Sequence, residues 1–120
     1  MAEVNLTGFG YVQSEDVTGN KTLDLGDCGV VQNVTAPCVV TLPATSAKNR
    51  FIVRVGAEGI TVSISPAAAD KIWGAGATAG TDNKDLIFTS QPVGSYVELS
   101  GDGTDGYAVV RSAGTSTFEA

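Results

Sequence analysis

The densest run of potential ligand groups in this chain is GDGTDGYAVV, residues 101–110, where Asp102 and Asp105 sit among three glycines ahead of an apolar segment. Carboxylates separated by glycines can hold calcium, so spacing is the first test. A helix–loop–helix calcium loop needs acids or amides at alternate positions and a bidentate Glu at position 12. Here position 12 counted from Asp102 is Ala113, and the two acids are three residues apart. A repeat-type calcium motif needs tandem glycine–aspartate copies, and this is one partial copy. The stretch fits a tight turn instead. Glycine supplies positive φ, and aspartate bonds its own backbone.

Other chemistry is tested the same way. The chain has no histidine, which excludes Ser–His and Cys–His nucleophiles. Cys28 and Cys38 lie in or beside apolar runs, the setting of an inert thiol. A bridge between them across a hairpin stays open, whereas a zinc site lacks the further ligands it needs. Thirteen acids leave room for a carboxylate pair of the glycosidase type. Yet Glu15, Asp16, Asp27, Glu58, Asp82, Asp85, Asp102 and Asp105 fall in turns or near the N-terminus, where acids serve the backbone. GAGATAG (74–80) has the glycines of a phosphate loop, but neither the following helix nor the Gly-Lys-Ser/Thr ending. Trp73, Tyr96 and Tyr107 could make an aromatic platform for a sugar. Their simpler role is a core plug and two half-buried strand residues. The residues therefore imply no enzyme, no cofactor and no metal.

Charge narrows the partners. The net charge is −6, and Lys and Arg are scattered, with Lys48–Arg50–Arg54 the largest grouping. Nucleic acid is excluded as a partner, since phosphate binding needs a basic footprint. No apolar run approaches the ~20 residues of a membrane-spanning helix. The start, MAEVNLTGFG, lacks the basic and apolar regions of a secretory signal, which implies synthesis and retention in a cytosol.

The elements that must position these groups are strands. RFIVRV (50–55) turns Phe51, Val53 and Val55 one way and Arg50, Ile52 and Arg54 the other. ITVSIS (60–65) alternates as strictly, and the short GAEG between the two predicts a hairpin. VVQNVT (30–35) and CVVTL (38–42), separated by Ala36-Pro37, predict another antiparallel pair. KTLDL (21–25) places Leu23 and Leu25 on one face. DLIFTS (85–90), VGSYVELS (93–100) and GYAVVRS (106–112) complete the series, and Ile72 and Trp73 drop into the core from an irregular segment. About eight short strands at roughly ten-residue spacing predict an all-β, antiparallel, jelly-roll-like β-sandwich. Three regions follow: an extended N-terminal arm over 1–20, the domain over 21–114, and a tail over 115–120. The arm carries Val4, Leu6, Phe9, Tyr11 and Val12 among polar residues, a pattern that fits contact with a neighbour.

Residues 21–114 resemble a β-rich module of tailed-bacteriophage virion proteins. The landmarks are Leu42-Pro43, the strand Arg50 to Val55, the strand Ile60 to Pro66, the turn Asp70-Lys71-Ile72-Trp73-Gly74, and Gly101 to Tyr107. Such modules occur in tail fibres, in tailspikes and in small capsid decoration (cement) proteins. A single module with a short arm fits decoration better than a fibre shaft. The resemblance implies a structural virion protein on the capsid surface, with the major capsid protein as partner and a homo-oligomer, a trimer first, as its form. The alternative is a receptor- or glycan-binding module of a tail. On the decoration reading the contact residues are Val4, Leu6, Phe9, Tyr11 and Val12 of the arm, then outward-facing Ile52 with Arg50 and Arg54.

Overall fold

Alternation tells a strand which side to bury and leaves its partner open. The computed structural model describes residues 13–74 and 82–119, and these form eleven strands. In chain order they are β1 (Gln13–Val17), β2 (Lys21–Thr22), β3 (Val30–Val34), β4 (Cys38–Thr41), β5 (Arg50–Val55), β6 (Thr61–Ser65), β7 (Lys71–Trp73), β8 (Leu86–Thr89), β9 (Tyr96–Gly101), β10 (Gly106–Ala113) and β11 (Thr117–Phe118). One 3-10 turn, Leu25–Asp27, interrupts them. No helix among the described residues is long and apolar enough to cross a membrane.

The chain is all-β as expected, but the pairing is mixed rather than antiparallel. One sheet, here sheet A, has the order β1-β3-β5-β9-β10-β7, and the other, sheet B, has the order β11-β8-β6-β4-β2. From β1 to β6 the strands alternate between the sheets. β1, β3 and β5 run parallel in sheet A, while β2, β4 and β6 run parallel in sheet B. The two predicted hairpins, β3–β4 and β5–β6, therefore do not form. Parallel neighbours need a crossover too long for a tight turn. Here the crossover between two strands of one sheet is a strand of the other. The short links at Ala36-Pro37 and Gly56–Gly59 carry the chain from sheet to sheet, so residues 13–65 wind as three coils.

The second half closes the coils with antiparallel strands, apart from β7, which runs parallel to β10. β8 pairs with β6, and β9 pairs with β5 and β10. Among the described strands β9 and β10 are the one pair adjacent in sequence that also pairs in a sheet, and GDGTDG is their turn. Residues 13–17 of the expected arm are the edge strand of sheet A, and Thr117–Phe118 of the expected tail pairs with β8.

Both sheets supply one core. Val34, Phe51, Val53, Val97 and Leu99 come from sheet A, and Val40, Val62, Ile64, Leu86 and Phe88 from sheet B. Cys38 is buried in the same cluster, and Cys28 packs against it; both are free thiols. Burial pushes the Cys38 thiol up, away from reactive thiolate. At the first coil the filling turns polar. Lys21 lies in register with buried Val40, pairs with Glu15 and Asp27, and donates to Oε1 of wholly buried Gln32 at 2.9 Å. Inward-turned charge at an edge coil discourages pairing with a further coil.

Leu25 departs from the sequence reading. Leu23 is buried, whereas Leu25 starts the 3-10 turn and is 69% exposed. A two-residue period fails where the backbone leaves the extended region.

Candidate functional site

Three landmarks far apart in sequence meet at one corner. The β9–β10 turn is self-capped: Oδ1 of Asp102 accepts from the amides of Thr104, Asp105 and Gly106 at 2.8, 2.8 and 3.1 Å. These amides, that of Thr104 foremost, hold the Asp102 carboxyl below its ordinary 3.8. The carboxylate is thus committed to its own backbone, and no group of three metal-ligating side chains occurs among the described residues.

The loop after Leu42-Pro43 grips this turn. The Thr45 hydroxyl donates to the Gly106 carbonyl at 2.6 Å and accepts from the amides of Asp102 and Gly103 at 3.1 Å each. The Thr45 amide in turn donates to Oδ2 of buried Asp70 at 2.8 Å, which brings in the Asp70–Gly74 turn. Beneath them Tyr107 is wholly buried, its ring 6.0 Å from that of Phe51. Its hydroxyl donates to the Pro43 carbonyl at 2.9 Å and accepts from Nδ2 of Asn49 at 2.8 Å. Burial raises the Tyr107 hydroxyl above its ordinary 10.0, and the Asn49 bond opposes this. Every polar group named here except Oδ1 of Asn49 has a hydrogen-bond partner within the corner. These bonds fasten the three segments to one another.

A proton titration checks the turn. Asp102 is expected to titrate below 3.8 by carboxyl NMR. Its folded value lies under its unfolded value, so its contribution is complete above about 3.9 and fades as pH falls through the folded value. Asp102→Ala removes that component from the pH dependence of unfolding. A titration at or above the ordinary value would refute the self-capped turn.

The second place is the outer face of sheet A. Arg50, Ile52 and Arg54 do point away from the core, but Ile52 is buried, at 8% exposure, which corrects the expectation of a solvent-facing side chain. In register beside Ile52 stands Glu98 of β9, itself 1% exposed. The flanking strands reach over it. Arg50 of β5 places Nε 3.5 Å from Oε2, and Arg111 of β10 places Nη2 2.7 Å and Nε 3.0 Å from Oε1. Arg54 donates to Asn33 at 2.9 Å and to Ser14 at 3.4 Å.

Glu98 and Arg111 escaped the sequence reading for different reasons. Glu98 alternates correctly with Val97 and Leu99, and an acid between two core residues was the available signal. Arg111 carried none. A bulge between Val109 and Arg111 shifts the register, so Arg111 rather than Val110 stands opposite Glu98. Bulges of this kind re-aim a side chain.

Val4, Leu6, Phe9, Tyr11 and Val12 lie outside the described residues. The three aromatics do not share a platform. Tyr107 is in the core, and half-buried Trp73 and Tyr96 lie two strands apart and in different register rows of sheet A. Compared with protein-family models, curated proteins and solved structures, the chain matches no family model, no curated protein and no solved structure.

Proposed function

We propose that this chain is a structural virion protein of a tailed bacteriophage, a decoration protein that binds the outside of the assembled capsid and stabilises it. On this reading the two sheets act as one β-sandwich, and copies associate, as trimers in the first instance, across joints between capsid subunits. One observation supports it best. The landmarks of the resemblance, Leu42-Pro43, Asp70–Gly74 and Gly101–Tyr107, are tied into a single corner through Thr45, Asn49 and Tyr107. Groups spent on internal bonds serve shape, and a part whose work is mechanical needs a stiff shape.

The mechanism is mass action. A protein that binds the assembled shell and not its free subunits shifts the balance towards the shell, by an amount that grows with its concentration over its dissociation constant. The arm residues Val4, Leu6, Phe9, Tyr11 and Val12 are the proposed first contact, with the major capsid protein as partner. Co-sedimentation with shells assembled from the capsid protein of the same phage tests this. The chain is expected to pellet with shells and to ignore free subunits. Deleting residues 2–12 is expected to weaken binding about tenfold or more, as loss of ~1.4 kcal/mol would. Equal binding to free subunits, or none to shells, overturns the reading.

A further inference from the structure

All three arginines of the chain, Arg50, Arg54 and Arg111, lie on the outer face of sheet A, although the chain as a whole carries −6. Two of them are held by a buried carboxylate, and one is put there by a bulge. Arginines fixed in this way lose little freedom on meeting a partner, and arginine is enriched at protein interfaces. Exposed Val110, at the bulge, adds an apolar spot beside them.

The same chain carries a counterpart elsewhere. The 3-10 turn displays Leu25, the most exposed large apolar side chain among the described residues, between Asp24 and Asp27. The turn is rigid. Oδ1 of Asp24 accepts from the Gly26 amide at 2.9 Å, and Oδ2 of Asp27 accepts from the Asp24 amide at 3.0 Å. It sits on the β2–β3 connection, whose Gly29 amide donates to the Arg50 carbonyl at 3.2 Å, and Leu25 is open to another copy's sheet.

We infer that the outer arginine face of sheet A receives the Asp24–Asp27 turn of a second copy, with Leu25 set against the arginine stems and Val110. Charge complementarity selects this occupant. Asp24, beside an apolar tip, meets a face on which three arginines outnumber Glu98 and Asp16, and this local attraction works against the general repulsion between copies of a chain at −6. The contact joins two different patches, so it either repeats head-to-tail or is made twice in a two-fold pair. It needs no shell: binding of shells by a single-chain species would leave the decoration reading standing and remove this inference.

Light scattering on the purified protein tests it. At low salt the wild type is expected at a multiple of the single-chain mass, falling towards one chain as salt screens the contact. Leu25→Lys and Arg54→Glu are each expected to weaken self-association about tenfold or more. Mixed in equal amounts, the two variants should recover a two-chain complex, because each keeps the patch the other lacks. Leu25 is exposed enough that Leu25→Lys should keep the wild-type melting curve; if either variant fails to fold, the other decides. A single-chain wild type at low salt, or variants with the wild-type mass, overturns the inference.

Discussion

Gly106→Ala is expected to destabilise the protein by about 4 kcal/mol or more, the range in which single substitutions become exceptional. Two costs combine. Gly106 has φ +149°, a conformation that residues with a side chain rarely adopt. A Cβ there would also collide with the backbone of Lys71, its carbonyl oxygen above all. Lys71 is the register partner of Gly106 in the β7–β10 pair, so neither backbone can yield without breaking that pairing. The Gly106 carbonyl, which takes the Thr45 hydroxyl, would move with it. Gly59→Ala is the control. Gly59 also has positive φ, +72°, but an added Cβ meets nothing within 4 Å. It should cost only about 1–2 kcal/mol of conformational strain. Urea unfolding of both variants gives the comparison, and equal losses would show that close approach to Lys71 is unimportant.

Asn49→Asp should be nearly as damaging at neutral pH, by about 3 kcal/mol, and its effect should depend on pH. Asn49 is buried, and its Nδ2 donates both to the Ala44 carbonyl at 3.2 Å and to Tyr107. The substitution puts an oxygen where the donor was and brings a charge beside Tyr107, which already feels the buried Asp70 carboxylate. The folded state would hold the new carboxyl protonated, raising its value above the unfolded ~3.9. A raised acid destabilises increasingly as pH climbs from the unfolded value to the folded one, then levels off. The gap between wild type and variant should therefore narrow as pH falls from 7 towards 4. Stability curves at several pH values check this. A gap independent of pH would mean that lost hydrogen bonds alone account for the damage.

Both substitutions address the corner where the landmarks meet, and that corner shows what alternation could and could not reveal. The strand Arg50–Val55, the inward side of Phe51, Val53 and Val55, and that of Ile60, Val62 and Ile64 all follow from alternation, whereas the burial of Ile52 does not. Each of those choices depends only on whether neighbouring side chains are apolar. The direction of pairing does not. Val30–Val34 followed closely by Cys38–Thr41 reads as a hairpin by loop length, yet the chain changes sheets there. The coils also escaped notice as a repeat, because their steps are unequal: Gln13 stacks on Val30, whereas Val31 stacks on Ile52. No fixed period is left in the residues.

The arginine face shows the same division. Arg50 and Arg54 could be assigned an outward direction from their own strand. That Ile52 between them is buried, and that Glu98 and Arg111 complete the cluster, depends on β9 lying beside β5 and on one bulged residue in β10. Residue order thus settled the all-β class, the inward side of most strands, and GDGTDG as a turn, because these follow from local backbone chemistry and the two-residue period. The folded chain alone set strand partners, parallel winding and the gathering of the corner and the arginines. Those arise from contacts between residues tens of positions apart, where burial in a shared core, not local preference, selects the neighbour.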